Sequence, residues 1–478
     1  MPLPPIVETL LDPGFYPHTP ADVELRQTHI SYVFLAGDQV FKLKKPVRFA
    51  FLDFTILERR RHFCREEVRL NRRLAPDVYL GVRALRRDGD SYRWTDEGDA
   101  RAVEYLVHMR RLPDDRTLDR CLRRGAVDVA TIDRLAALLV RFHRGAEVGD
   151  EITANGSIAA IERVLRQNYE GTAPFHGVII SAADDAAIQR FARDFLVRNE
   201  ALFRRRQAER RIRDGHADLH ADHVYLTEPP VIVDCVEFSP TFRWCDVASD
   251  LSFLTMDLEY HDRPDLAARL VARYAALSGD AELARLVPFY ACYRAYVRGK
   301  VDSLKSAEED VDDAERERAR ESARRHFALA YRYTWAYSPA LVVVAGRSDT
   351  GKSSVARALA ARTGFGVIAS DAVGKEPAGL AATEHAGGRQ RDERHAAAMG
   401  ERTDAELFAR ARWQLAAGAG VILDATFHLR TGCEEARRLA AAAGVPFLLV
   451  TLDTSRALGE LVGEIERELR ERSTDEHG

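Results

Sequence analysis

The chain has 478 residues, 46 % hydrophobic and 30 % charged, a globular profile with room for two to four folding units at ~100–200 residues each. Seventy Lys and Arg stand against 74 Asp and Glu, a net charge of −4 without a basic tail, which disfavours nucleic-acid binding through bulk electrostatics. No run of ~20 apolar residues and no basic-then-apolar start occurs, and the six cysteines lack CxxC or zinc spacing, so a cytoplasmic protein with reduced thiols and no membrane span is expected.

Residues 29–46 alternate as two strands around a turn at Gly37-Asp38. Residues 55–74 are helical, with Phe63, Glu67, Leu70 and Leu74 on one face. More strands are expected over 78–107. A mostly helical region follows over 117–210, looser near 145–185. Two short strands then flank Glu228-Pro229-Pro230. Residues 246–335 read as a long helical run whose part at 306–325 is charged all round, a solvated helix. Pro339 marks a linker over 333–340.

Basic residues are overwhelmingly arginine. The lysines fall only at 42, 44, 45, 300, 305, 352 and 375, so each asks for a reason. Lys352 lies in Gly346-Arg347-Ser348-Asp349-Thr350-Gly351-Lys352-Ser353, a GxxxxGK[ST] string between an apolar strand (341–345) and a helix pattern closed by Gly364. Glycine backbone freedom lets N–H groups face phosphate oxygens, and the helix N-terminus adds partial positive charge. The expected phosphate-binding residues are Gly346, Asp349, Thr350, Gly351, Lys352, Ser353 and Ser354, with Ser353 also on Mg²⁺. A second strand at 365–370 ends at Asp371, a candidate catalytic acid that takes a proton from an acceptor hydroxyl or holds that hydroxyl, unless it caps a helix. A third, 420–427, carries Asp424, either a Mg²⁺-orienting acid or a strand-end turn residue.

The segments GRSDTGKSS, ASDAVGK and VILDATF resemble small P-loop kinases related to adenylate, gluconate and polynucleotide kinases, and the zeta-toxin and chloramphenicol phosphotransferase type. The usual S-D-x-x-R departs here, with Gly374 at the arginine position and Lys375 after it. The resemblance implies an arginine-bearing lid, for which Arg467, Arg470 and Arg472 are candidates.

Upstream, Gly215-His216-Ala217-Asp218-Leu219-His220-Ala221-Asp222-His223 is followed by a strand pair reaching Asp234. It resembles the catalytic and metal loops of aminoglycoside phosphotransferases, relatives of protein kinases. That resemblance implies Asp218 as the catalytic aspartate, Asp234 as the Mg²⁺ aspartate, and DVASDL (246–251) as a structural element. His223 stands where the family's metal-binding asparagine falls, and Mg²⁺ prefers oxygen ligands. Such a site also needs a strand lysine and a helix glutamate. Lys42 and Lys44 share one strand face and Glu67 faces inward, with Lys42 the first choice and Glu66 the alternate. The competing possibility is a pair of surface lysines on an edge strand.

The expected fold is therefore mixed α+β and α/β. It joins an N-terminal bilobal kinase-like, aminoglycoside phosphotransferase-like domain (1–335) to a C-terminal P-loop parallel α/β domain (340–478). Both together resemble a bacterial family of fused proteins of this kind, which implies ATP and Mg²⁺ as cofactors and no particular substrate. Three functions follow, in order of support. The first is an ATP-dependent phosphotransferase with two MgATP modules, acting on a hydroxyl of a small-molecule acceptor. The second is a nucleotide-binding regulatory protein with a degenerate kinase-like module and a P-loop switch. The third is a polynucleotide 5′-hydroxyl kinase. The sequence assigns no oligomeric state.

Overall fold

A computed structural model describes residues 3–49, 52–308, 311–346, 351–370, 373, 393–424, 430–452 and 457–475. The chain packs as two compact units, one of residues 1–171 and 193–297, the other of 172–192 and 298–478.

The first unit begins with helix α1 (Pro5–Leu10) and strands β1 (Val23–Gln27), β2 (Ser31–Ala36) and β3 (Gln39–Lys44). A minimal pair, β4 (Arg48–Phe49) and β5 (Leu52–Asp53), leads into α2 (Leu57–Asn71). Strands β6 (Tyr79–Asp88), β7 (Ser91–Thr95) and β8 (Ala102–Arg110) complete a six-stranded antiparallel sheet in the order β1-β2-β3-β8-β6-β7. Gly37, at φ +64, supplies the left-handed backbone that the tight β2–β3 turn requires. Alternation then divides β3 between two faces. Phe41 and Leu43 join Val7, Leu10, Tyr16 and Phe34 in one core, while Cys64 and Val68 of α2 pack with Tyr105 and Val107 on the other. Lys42 and Lys44 fall on the α2 face. Because β3 lies between β2 and β8, they are not edge-strand lysines.

The helices that follow are α3 (Leu118–Arg123), α4 (Val129–Gly145), α5 (Asp150–Ala154), α6 (Ile158–Thr172), α7 (Ala182–Arg198) and α8 (Glu200–Ala208). The stretch expected to be looser thus holds the regular helix α6; Gly149 and Gly156 before it mask the periodicity. Short strands β9 (Ile212–Asp214), β10 (Val224–Tyr225) and β11 (Val231–Ile232) and helix α9 (Pro240–Arg243) precede β12 (Trp244–Asp246). Strands β9 and β12 pair, as do β10 and β11, the hairpin expected around Pro229. Helix α10 (Val247–Tyr260) is buried from Val247 to Leu258 and packs on α11 (Pro264–Ser278), which packs on α4. Helices α12 (Leu283–Ser306) and α13 (Asp313–Tyr333) divide the segment expected as one charged helix over 306–325. The second begins behind Asp312, whose carboxylate accepts from Glu315 N at 2.9 Å. An N-cap hidden inside an acidic run leaves no mark in charge periodicity.

In the second unit, β13 (Leu341–Ala345), β14 (Gly366–Ala369), β15 (Val421–Asp424) and β16 (Phe447–Thr451) form a parallel sheet in the order β14-β15-β13-β16. Helices α14 (Lys352–Thr363), α15 (Glu393–Ala416), α16 (Arg430–Ala443) and α17 (Leu458–Asp475) alternate with the strands. The continuous apolar run 341–344 is fully buried, as a parallel strand covered on both faces requires. Leu341, Val343, Leu407, Ala411, Leu423 and Ala436 belong to its core. Arg362 of α14 donates to Asp184 at 2.7 Å and to Glu466 at 3.0 Å, which ties residues near 184 into this unit. Among the described residues no helix is long and apolar enough to cross a membrane.

Candidate functional site

The loop after β9 is held by two acids of α10 that bind its backbone. Asp250 accepts from His216 N at 2.7 Å and Ala217 N at 2.8 Å, and also from His143 Nε2 at 3.1 Å. Asp257 accepts from Ala221 N at 2.6 Å. A Cβ on Gly215 would stand 2.7 Å from Asp250 Oδ2, so this close approach admits only glycine. Burial opposes the Asp250 charge, but the His143 hydrogen bond and the backbone donors outweigh it and hold the carboxyl well below the usual range. Burial also pushes the His216 imidazole down to about 4, so it stays neutral.

Replacing Asp250 with Ala strands these donors and is expected to destabilise the protein by about 2–5 kcal/mol in urea unfolding. The depressed carboxyl stabilises the fold above its unfolded value of about 3.9, and that contribution is lost as pH falls through the folded value. The lead of the wild type over Asp250→Asn in urea midpoint is therefore expected to be full at pH 7 and to shrink below about pH 4.

Asp218 leaves this loop half-buried, and Asp234 follows β11 with its backbone at φ +63. That conformation is costly for a residue with a Cβ and is fixed from outside. Asp234 N donates to the Tyr79 hydroxyl at 3.1 Å, and Cys235 N to Asn71 Oδ1 at 2.9 Å. Lys42 Nζ lies 2.6 Å from Asp234 Oδ1 and 2.9 Å from Glu67 Oε1. Lys44 Nζ lies 2.7 Å from Glu67 Oε2 and also contacts Glu237. One buried glutamate thus shares two lysines with two further acids. Burial opposes the Asp234 charge, but the Lys42 ammonium holds that carboxyl well below its usual range. At Glu237 burial wins and raises the carboxyl. Burial likewise opposes the charges of Lys42 and Lys44, yet Asp234, Glu237 and Glu67 keep both ammoniums protonated. Glu66, the alternate helix acid, instead faces Arg69 at 2.8 Å.

His223 stands between the two aspartates. Its Nδ1 lies 2.9 Å from the Asp218 carbonyl oxygen and 3.6 Å from Asp218 Oδ2, and its Nε2 lies 3.5 Å from Asp234 Oδ2. The His220 ring is 3.9 Å away between centroids, with its Nε2 3.7 Å from Asp218 Oδ2. Asp218, His220 and His223 can each turn a ligand atom toward one point, these atoms lying within 4.8 Å of one another. Asp218 and Asp234 offer the oxygen donors that Mg²⁺ prefers, whereas His223 does not.

The second centre lies at the C-terminal edge of the parallel sheet. Gly346 follows β13, and Gly351 takes φ +85 at the start of α14, a backbone that glycine alone adopts cheaply. Lys352 and Ser353 open the helix, and Ser354 is exposed beside them. Val344 and Asp424 are register partners, which brings the Asp424 carboxylate to the helix start, where Ser353 Oγ donates to Oδ2 at 2.6 Å. Such a hydroxyl–carboxylate pair fits a hard divalent ion. Asp349, Thr350, Asp371, Gly374 and Lys375 lie outside the described residues. Two of the three lid candidates have other partners: Arg470 lies 4.1 Å over the Trp335 ring and donates to Thr334 at 3.0 Å, and Arg472 donates to the Phe447 carbonyl at 2.9 Å.

Residues 341–473 match the family model described as AAA domain. An uncharacterized protein of Mycobacterium tuberculosis strain H37Rv, Rv2004c, is 34 % identical over 420 residues, 88 % of this chain and 81 % of its own. Among solved structures, the GDP complex of aminoglycoside 2′-phosphotransferase-IIIa aligns with TM-score 0.38 and 16 % identity, over 67 % of this chain and 99 % of its own. A choline/ethanolamine kinase family protein of Mesorhizobium loti aligns with TM-score 0.38 and 12 % identity, over 68 % and 98 %.

Proposed function

Because the chain belongs to the family of the mycobacterial protein Rv2004c, and joins a kinase-like unit to a P-loop domain, we propose that it is an ATP-dependent phosphotransferase. In this proposal residues 1–335 and 340–478 each bind MgATP, and at least one module moves the γ-phosphoryl group to a hydroxyl of a small-molecule acceptor in the cytoplasm. The observation that carries it is Lys42 set between Glu67 and Asp234, in the same unit as Asp218. Glu67 holds Lys42 extended so that its ammonium meets nucleotide phosphate oxygens. Asp234, with His223 at the neighbouring position, and in the second module Ser353 and Asp424, would hold the divalent ion, which when bound would neutralise charge on the phosphates. Asp218 orients the acceptor hydroxyl and takes its proton as the new P–O bond forms and the bond from the γ-phosphorus to the β,γ-bridging oxygen breaks, with ADP as the leaving group. In the second module Lys352 grips the β/γ-phosphates and Asp371 is the acceptor-side acid. Positioning and charge neutralisation supply most of what phosphoryl transfer needs.

The imidazole of His223 between Asp218 and Asp234 favours one other possibility, a nucleotide-binding regulator whose kinase-like module does not turn over. The two separate in ATP consumption by the intact protein, with and without a small-molecule cell extract, compared with Lys352→Ala and Asp218→Asn. Turnover that rises with extract and is abolished by one substitution is expected, and the sensitive substitution names the working module. Slow turnover that ignores the extract, with nucleotide still bound, would overturn the phosphotransferase proposal.

A further inference from the structure

We propose that the kinase-like centre binds its divalent ion through an imidazole nitrogen, between His223 Nε2 and Asp234 Oδ2, and therefore prefers a borderline ion such as Co²⁺ or Zn²⁺ to Mg²⁺. The proposal rests on the phosphotransferase function for the purpose of the site, but its evidence is the geometry of one side chain. His223 Nδ1 is 2.9 Å from the Asp218 carbonyl oxygen. A carbonyl only accepts, so Nδ1 carries a proton and Nε2 is the ring nitrogen left to bind a metal. A backbone carbonyl on the far nitrogen is the usual way a protein fixes the tautomer and aim of a metal-binding histidine.

The aim is consistent with that role. Nε2 faces Asp234 Oδ2 at 3.5 Å, too long for a hydrogen bond. Two donors on one ion at about 2.1 Å each, near the tetrahedral angle, stand about 3.4 Å apart. The donors are one imidazole nitrogen and one carboxylate oxygen, while the Asp218 carboxylate lies on the Nδ1 side of the ring at 3.6 Å. Such a mixed nitrogen–oxygen set suits Co²⁺, Ni²⁺ or Zn²⁺, whereas Mg²⁺ demands oxygen and keeps its waters. Lys42 presently neutralises Asp234 Oδ1, which leaves Oδ2 as the oxygen on the His223 side.

Co²⁺ tests this directly, because its visible absorption reports ligand number and geometry without turnover, nucleotide or acceptor. Full-length protein is titrated with Co²⁺ alone and back-titrated with Mg²⁺, alongside His223→Asn, Asp234→Asn and the exposed-site control His62→Asn. Intense bands of a four- or five-coordinate site are expected in the wild type and in His62→Asn. His223→Asn is expected to lower Co²⁺ affinity at least about tenfold and narrow the Co²⁺/Mg²⁺ preference. Asp234→Asn should lose the same bands, which keeps the test decisive if either variant folds poorly. Unchanged Co²⁺ binding in His223→Asn, or bands that follow His62 instead, would sink the proposal. A cobalt site that persists in a protein without acceptor-dependent turnover would instead overturn the phosphotransferase function alone.

Discussion

Asp218→Asn is expected to lower acceptor-dependent ATP turnover by about 10²–10⁴-fold, the usual effect of removing a positioned proton acceptor. The substitution keeps shape and hydrogen-bonding capacity but cannot take a proton at neutral pH. Nucleotide affinity should change little, since the phosphates are assigned to Lys42 and the metal chiefly to Asp234. The fold should also survive. The backbone around Asp218 is fixed by Asp250 and Asp257, which accept from His216, Ala217 and Ala221, and by the bond between its own carbonyl and His223. None of these uses the carboxylate, so the urea midpoint should move by less than about 1 kcal/mol equivalent. Single-turnover kinetics and nucleotide titration on the same sample separate chemistry from binding. Turnover that persists in Asp218→Asn and vanishes in Lys352→Ala would place the chemistry in the P-loop module and leave Asp218 without its assigned role.

The parts of the site legible in the sequence are those whose chemistry needs a local string. The P-loop, with Ser353 and Asp424, is one: strand, turn and helix follow each other, and parallel pairing alone brings Asp424 to the helix start. Asp218 and Asp234 are another, because a short hairpin separates them. Lys42 and Glu67 were legible only through contrast, as rare lysines in an arginine-rich chain opposite an inward helix acid. What escaped depends on contacts between distant segments. Asn71 and Tyr79 fix the backbone beside Asp234 from more than 150 positions away, and no periodicity marks them. Lys44 appeared as a second candidate for the same task, whereas it is buried between Glu67 and Glu237. Glu237 did leave one sign, a lone acid in the apolar run after Asp234. His223 looked like a poor substitute for asparagine by residue type, and only its two nitrogen distances reveal a consistent orientation.

Glu67→Ala is expected to be the most destabilising single change in the kinase-like unit, at about 3–5 kcal/mol, because it removes the shared counter-ion of two buried lysines. Glu67 is fully buried and reaches Lys42 and Lys44 with separate oxygens. After the change, among the described residues, Lys42 keeps Asp234 as its carboxylate partner, and Lys44 keeps the Phe54 ring and Glu237, whose carboxyl burial already pushes toward its protonated form. Neither lysine sheds its proton easily near neutral pH, since their ordinary value is about 10.4. The reverse deletion is milder for a physical reason. Lys44→Met leaves Glu67 paired with Lys42, and Glu237 can take up a proton at modest cost because its carboxyl is raised already. The methionine meanwhile fills the aliphatic stem's volume on the α2 face. Urea unfolding of the two variants and their double mutant checks the asymmetry. Glu67→Ala should cost clearly more than Lys44→Met, and the double mutant should cost less than the sum, since Lys44 is no longer there to be stranded. Equal single costs that add would mean that the two groups act independently, and that Glu67 holds Lys42 without the buried network assigned here.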